Sequence, residues 1–288
     1  AAMKFGITPP YRAGVTSDPA WMTSFVQAAE AAGFESVYAV EHISVPAGFA
    51  EEYPYSETGR WPLPVDCEIP DPLELLTFLA ARTERIVLAT GILVATQHHP
   101  LMLAKRLSTV DVLSGGRMRL GVGVGWMREE LEAIGVDFDT RGRRLDETID
   151  ALRTIWREDE PTFHGEFFSF DRAVSRPRPV RPTGIPIHIG GHSPAAARRA
   201  GRLGDGFQPL GLDPDLLAAR LDTMRRAADD AGRDADAIEL TLGGSLAALD
   251  AELVERLRAQ GADRILLSAT TDDLNLLAEQ MASLQRWI

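Results

Sequence analysis

The chain has 288 residues, of which 45% are hydrophobic and 25% charged, and its formal net charge is −12. This composition is typical of a globular protein in water. The negative charge argues against a nucleic-acid or membrane surface, and no apolar run reaches the roughly 18 residues that span a bilayer. The single cysteine, Cys67, excludes an intrachain disulfide and a cysteine-cluster metal site. We expect a cytoplasmic protein whose partner is a small molecule.

Eight short β-like runs alternate with helical patterns along the chain. The runs start at Lys4, Ser36, Arg85, Met118, Ile185, Gly206, Ile238 and Arg264. Caps and prolines mark several of the helices between them. Ser17 or Asp18 before Pro19 marks the start of the first helix, and Asp71 before Pro72 the start of the second. Pro100 starts the third, which Gly115-Gly116 ends, and an apolar stripe from Leu145 to Trp156 marks the fourth. Further helical patterns lie at roughly 194–203, 214–231, 251–260 and 272–285.

Eight strand–helix units predict an α/β protein with a (β/α)8 TIM barrel, built as a single domain over residues 1–288. The near-continuous apolar strands suit parallel strands buried on both faces. An open doubly wound sheet is the alternative. Two connections, near 44–70 and 126–184, are too long for plain barrel units and predict insertions at the C-terminal mouth.

The segment PIHIGGHSPAAARRAG, residues 186–201, ends a strand on two glycines and opens a helix on Ser193 and Pro194. A capped turn explains these residues. A helix start also offers free N–H groups and a partial positive charge, and glycines let an anion approach the backbone closely. Both interpretations stay open on the residues alone, although a strand end in a TIM barrel is where active sites lie.

Glu41 and His42 close the second predicted strand, where a carboxylate and an imidazole can do acid–base work. The alternative is that they bond the neighbouring backbone. In the third strand, Gly91 marks either a bulge or a distorted strand end that faces a flat ligand. The adjacent His98 and His99 look like a metal pair, but they lack an acidic partner nearby in sequence, so we expect no metal site.

Two further motifs have plain structural explanations. The run GVGVGW, residues 121–126, matches a dinucleotide fingerprint only weakly, and its alternating glycines instead predict small side chains inside the barrel. The run RGRRLDE, residues 141–147, is typical of a solvated cationic helix start, with anion binding as the alternative.

These segments together resemble the luciferase-like monooxygenase superfamily, and most of all the branch that uses the deazaflavin coenzyme F420. The resemblance lies in KFGI, AAEAAGFESVYAVEH, LATGILV, HHPLMLAKRLSTVDVLSGGR, LGVGVGWMREELEAIGVDFDTRGRRLDETIDALRTIW and GIPIHIGGHSPAAARRAGRLGDGF. These cover most of residues 3–211, and the remainder fits the last barrel units. The resemblance does not specify a substrate.

The resemblance implies a cofactor at the barrel mouth. Its phosphate is expected at Gly190, Gly191, His192 and Ser193, and its ring against the third strand, where Gly91-Ile92 matches the position of a non-proline cis peptide. Gly123, in the GVGVGW run, is expected to contact the cofactor as well. His42 is the expected proton-transfer group, and Glu41 is expected to orient it or to bond the ring. Relatives are often dimers, so a homodimer is expected.

We therefore expect an oxidoreductase that transfers hydride between coenzyme F420 and an organic substrate. An FMN-dependent two-component monooxygenase of the same fold is the first alternative. A non-catalytic barrel that binds a flavin-like ligand is the second, and a missing proton donor would support it. A Schiff-base isomerase or aldolase is disfavoured because the only lysines, Lys4 and Lys105, are not at a strand end on the mouth side. The aromatic loop with Phe49, Tyr53, Tyr55 and Trp61 is predicted to be either a lid or an insertion packed on the rim.

Overall fold

The computed structural model describes residues 2–50 and 52–288 and shows strands and helices in alternation. The strands are β1 Lys4–Thr8, β2 Ser36–Ala39, β3 Val87–Thr90, β4 Leu93–Val94, β5 Met118–Gly123, β6 Phe163–His164, β7 Ser169–Phe170, β8 Ile187–Gly190, β9 Gly206–Gln208, β10 Glu239–Ser245 and β11 Arg264–Ser268. The helices are α1 Pro19–Ala32, α2 Pro72–Ala80, α3 Pro100–Leu113, α4 Arg128–Ala133, α5 Arg141–Arg157, α6 Pro194–Leu203, α7 Pro214–Asp230, α8 Ala251–Ala259 and α9 Leu274–Ala282.

Parallel pairing closes the sheet into a barrel. The strand order is β3-β2-β1-β11-β10-β9-β8-β5-β4, and a further pairing of β3 with β5 completes the circle. Because β3 and β4 are two halves of one interrupted strand, the described residues form eight barrel strands. The predicted (β/α)8 fold is confirmed, and the carboxyl ends of all eight strands meet at one mouth.

The helix starts follow the capping signals in the sequence. The Asp18 side chain accepts hydrogen bonds from the backbone of Ala20 and Trp21, so Asp18 rather than Ser17 caps α1. Asp71 caps α2 in the same way, and Ser193 caps α6. In each case a proline occupies the first turn, where its missing N–H costs no hydrogen bond.

The two insertions differ in structure. Residues 44–50 and 52–70 form turns and irregular backbone with neither helix nor strand. The segment 126–184 contains α4, then α5, and an antiparallel hairpin of β6 and β7. Since α5 packs beside α3 and α6 as a barrel helix, the true additions in this segment are α4 and the hairpin. Across residues 2–50 and 52–288, none of the helices combines the length and the apolar character that a membrane crossing requires.

The end of the barrel opposite the mouth encloses a charged network. Arg264, with only 1% of its side chain exposed, donates to Glu35 Oε2 at 2.9 Å and to Glu239 Oε2 at 3.1 Å. Glu35 also pairs with Arg119, and Lys4 pairs with Glu239. Buried charges are tolerated because each carboxylate meets cations on neighbouring strands. This network forms the closed end of the barrel.

The buried His188 on β8 adjoins this network and predicts a pH dependence of stability. Burial first, and then the charges of Arg119 and Arg264, lower the pKa of His188 to about 3. An unfolded histidine titrates near pH 6.5, so below that pH the unfolded state binds a proton that the folded state does not. Stability therefore falls as the pH falls. We expect this residue to remove up to about 1.4 kcal/mol of unfolding free energy per pH unit below about pH 6, as measured by urea denaturation.

Two variants test this assignment. His188→Gln should flatten the dependence of unfolding free energy on pH between about pH 7 and pH 5. His164→Gln, which removes an exposed histidine from the β6–β7 hairpin, should leave the dependence as it is in the unsubstituted chain. An unchanged slope in His188→Gln would show that another group is responsible.

Candidate active site

Glu41 and His42, at the end of β2, are adjacent in sequence but bond to different parts of the mouth. The Glu41 carboxylate is buried, accepting a hydrogen bond from the backbone N–H of Val94 at 2.6 Å and lying 2.7 Å from His98 Nε2. Glu41 therefore ties the second barrel strand to the end of the third. His98 is the partner that sequence spacing could not reveal, because 57 positions separate the two residues.

His42 is held by Glu130, on α4, and not by Glu41. His42 Nδ1 lies 2.8 Å from Glu130 Oε2, and Glu130 Oε1 accepts from the backbone N–H of Ile43 at 2.6 Å. The Glu130 side chain is only 3% exposed. The prediction that Glu41 orients His42 is therefore wrong, because the carboxylate that holds His42 belongs to Glu130. Glu130 lies in the WMREE run, but its role depends on the fold bringing α4 over the end of β2.

Glycines at three strand ends lie against the side chains of Ile92 and Tyr38. A Cβ atom added at Gly123 would lie 2.6 Å from Ile92 Cδ1, and one added at Gly190 would lie 2.5 Å from Ile92 Cγ2. At Gly91 an added Cβ would meet the Tyr38 ring at 2.7 Å. The Gly91–Ile92 peptide bond is cis, as the resemblance implied. The glycines at these strand ends thus make room for the side chains of Ile92 and Tyr38, and we call Gly91, Ile92, Gly123 and Gly190 together the glycine floor.

The turn from β8 to α6 lies at the edge of the glycine floor. Gly191 has φ +113°, a conformation that side-chain-bearing residues rarely adopt. The exposed Ser193 accepts a hydrogen bond from Ala196 N at 3.1 Å, which leaves its hydroxyl hydrogen available to a ligand. Arg220 donates to the His192 carbonyl at 2.8 Å. The hydroxyl, the start of α6 and the nearby guanidinium form a donor set that fits a phosphate.

Four aromatic rings lie over His42. We call them the aromatic cluster: Phe49, Tyr53 and Trp61 from the first insertion, and Trp126 beyond β5. Trp61 and Trp126 have ring centroids 5.2 and 6.0 Å from that of His42. Phe49 contacts both tryptophans, and Tyr53 contacts Trp126 at 5.2 Å. The insertion therefore packs against the part of the mouth that carries His42.

The insertion also reaches the β8–α6 turn. The Tyr55 and His192 ring centroids lie 4.6 Å apart, and His192 Nε2 lies 2.7 Å from the Pro54 carbonyl oxygen. One loop thus spans from His42 to the turn that carries Gly190, Gly191, His192 and Ser193.

The other sequence motifs have structural roles. In the RGRRLDE run, Arg143 pairs with Glu166, Arg144 donates to the Thr96 carbonyl, and the Glu147 carboxylate accepts from the backbone of the hairpin turn. His99 caps α3, accepting from Leu101 N. Within residues 2–50 and 52–288, no group of three or more histidine, cysteine, aspartate or glutamate side chains could hold a metal ion.

Fold and mouth together define a TIM-barrel enzyme, since active sites of this fold lie at the carboxyl ends of the strands. The chain belongs to the luciferase-like monooxygenase family, whose model matches residues 3–284. The family and its members place the protein among the oxidoreductases and monooxygenases.

Relatives in this family are named for two different cofactors. The chain is 31% identical over 242 residues to an F420-dependent glucose-6-phosphate dehydrogenase of Nakamurella multipartita, covering 80% of this chain and 66% of that protein. It is 34% identical over 206 residues to an FMNH2-dependent dimethylsulfone monooxygenase of Pseudomonas fluorescens, covering 70% of this chain and 51% of that protein. A flavin-type cofactor fits both comparisons.

A solved structure supports the fold. An F420-dependent secondary alcohol dehydrogenase, in complex with an F420-acetone adduct, superposes with a TM-score of 0.80 and covers 100% of this chain and 98% of that chain. At 18% sequence identity, this likeness shows the fold alone.

The Glu41–His98 pair predicts a large coupling energy. Replacing Glu41 by Gln removes the charge that faces His98 in a buried setting, and we expect a loss of about 3 kcal/mol in unfolding free energy. In a double-mutant cycle with His98→Gln, urea denaturation should give a coupling of about 1–3 kcal/mol. Glu52→Gln, at an exposed position on the insertion, is the control and should change stability by less than about 0.5 kcal/mol. Additive effects at Glu41 and His98 would contradict the pairing.

Proposed function

We propose that the protein is an F420-dependent oxidoreductase that moves hydride between the deazaflavin and an organic substrate at the barrel mouth. The observation that carries the proposal is His42, fixed by the buried Glu130 beside the glycine floor. An imidazole held in place at the same mouth as the glycine floor suits a proton-transfer group beside a flat cofactor. The F420-dependent relative from Nakamurella multipartita supports the choice of cofactor.

Different residues of this chain would hold the phosphate and the ring of the cofactor. Ser193, His192 and the two glycines before them would hold the phosphate, and Ile92 with Gly91 and Gly123 would face the ring. A bound deazaflavin supplies a carbon that gives or accepts hydride and reacts poorly with oxygen. Gly123 and Gly190 leave room for the Ile92 side chain, which would contact the ring of the cofactor.

His42 would move the proton that accompanies hydride transfer. A carboxylate only accepts hydrogen bonds, so the contact with Glu130 places a proton on Nδ1 and leaves Nε2 free to exchange one with substrate. Glu130 also stabilises the imidazolium when His42 holds both protons. Glu130 is therefore a positioning residue for His42.

The aromatic cluster would exclude water from this exchange. Trp61 and Trp126 contact the His42 ring, so the insertion separates the imidazole from bulk solvent. Exclusion of water strengthens the interactions of charged groups inside the site.

A second candidate is an FMN-dependent monooxygenase, favoured by the identity to the FMNH2-dependent relative from Pseudomonas fluorescens. The donor set at the β8–α6 turn suits the phosphate of either cofactor. A homodimer and a cytoplasmic location stay predictions from the sequence.

Cofactor titration separates the two candidates. We expect purified protein to bind coenzyme F420 at least tenfold more tightly than FMN, as measured by fluorescence quenching of each cofactor. Ser193→Asp places a negative charge at the start of α6 and should weaken F420 binding by at least tenfold, or about 1.4 kcal/mol. Ala259→Asp adds the same charge at an exposed position on α8, at the closed end of the barrel, and should not weaken it.

The outcomes are distinct. Tighter binding of FMN would favour the monooxygenase, and binding of neither would contradict the cofactor assignment. Equal effects of the two Asp substitutions would contradict the phosphate position.

Substitutions at the His42–Glu130 pair test the proton-transfer role. His42→Asn should lower kcat by about 10²–10⁴-fold, because the general acid–base group is lost. Glu130→Gln should lower kcat by about tenfold or more and change its pH profile, because a neutral amide no longer stabilises the imidazolium. Affinity for the cofactor should stay within about twofold in both variants. Steady-state kinetics with the first substrate found for the enzyme measures kcat, and full activity in His42→Asn would contradict the assignment.

A further inference from the structure

The walls of the mouth are aromatic where a substrate would meet His42. The four rings of the aromatic cluster lie within 5.2 to 6.2 Å of one another where they pair. Trp61 and Trp126 contribute the largest aromatic surfaces, and both contact His42. Such surfaces bind flat apolar groups by burial and ring stacking.

A cavity of about 410 Å³ is lined by residues of the first insertion, and it shares Phe49 and Trp61, but not Trp126, with the aromatic cluster. Phe49, Trp61, Leu63 and Val65 supply its apolar wall, and Glu52 and Arg60 its charged groups. The volume falls within the range of small-molecule sites. Arg60 and Glu52 carry opposite charges, so these lining residues together carry no net positive charge.

Two carboxylates lie against His42 and the first insertion. Glu130 contacts His42, and Glu129 accepts from Ala50 N with one carboxylate oxygen. The other oxygen of Glu129 is buried and has no hydrogen-bond partner within the described part of the chain. A phosphate or carboxylate placed here would be repelled, because recognition of such groups depends on arginine or lysine forks. A polyhydroxylated sugar would also lose hydrogen bonds to water against these rings.

We propose that the substrate is an uncharged molecule with a flat apolar ring system, bound against Phe49 and Trp61 with its polar atom toward His42. This substrate class rests on the proposed function, and it excludes sugar phosphates. It assigns the first insertion a role in substrate selection.

Three probes test the proposal by calorimetric titration of the cofactor-loaded protein. 2-Naphthol carries the ring without a charge, 2-naphthyl phosphate adds a charge to the same ring, and glucose 6-phosphate has the charge without the ring. We expect 2-naphthol to bind at least tenfold more tightly than 2-naphthyl phosphate, and glucose 6-phosphate to show no binding at millimolar concentration. Tighter binding of either phosphate would overturn the proposal.

Variants locate the site. Trp61→Ala should weaken 2-naphthol binding by at least tenfold, whereas Val174→Ala, at an exposed position outside the first insertion and its cavity, should weaken it by less than threefold. A circular dichroism spectrum and the cofactor affinity of Trp61→Ala show whether the barrel is intact. Equal, small effects of the two variants would place the probe elsewhere and overturn the assignment.

The same titrations separate this proposal from the cofactor assignment. Cofactor binding without 2-naphthol binding would overturn the substrate class and leave the cofactor assignment standing. If no cofactor binds, 2-naphthol is titrated into the cofactor-free protein, where ring-dependent binding lost in Trp61→Ala would support the aromatic site and absence of binding would overturn it.

Discussion

Burial of two carboxylates at the end of β2 is the constraint on which the mouth depends. Glu41 and Glu130 are 4% and 3% exposed, and an ionised carboxylate is costly to bury unless hydrogen-bond donors surround it. Each finds one histidine and at least one backbone N–H. The first carboxylate fixes the interrupted third strand, and the second fixes α4 and the imidazole of His42. The positions of the floor, of His42 and of α4 are thus coupled through these hydrogen bonds.

The fold was predictable from the sequence because its signals are local. The cap at Asp71 before Pro72 and the alternation of buried strands with amphipathic helices each involve neighbouring residues. The alternating glycines of the GVGVGW run were also interpreted correctly as positions that require small residues. An added Cβ at Gly121 would lie 2.0 Å from the Thr90 carbonyl oxygen.

The partners in the site were less predictable because they depend on closure of the barrel. His98 reaches Glu41 across 57 positions and Glu130 reaches His42 across 88, and neither distance follows from a local period. Glu41 and His42 were recognised as a pair because they are adjacent, yet adjacent residues at a strand end point to opposite sides. Adjacency therefore did not predict which carboxylate holds which histidine. The fold of the first insertion was unpredictable for another reason, since it has no regular element and is shaped by ring contacts.

The packing around Ile92 has a consequence for how this protein can change over evolution. One side chain on the third strand fills space that two glycines, Gly123 on the fourth and Gly190 on the fifth, leave open. A methyl group at either glycine requires a smaller residue at position 92, and a smaller residue at position 92 leaves a void that favours a larger neighbour. Substitutions at these three positions are therefore expected to occur together. A surface packed in this way is expected to diversify through concerted replacement, while the loops above it can vary one residue at a time.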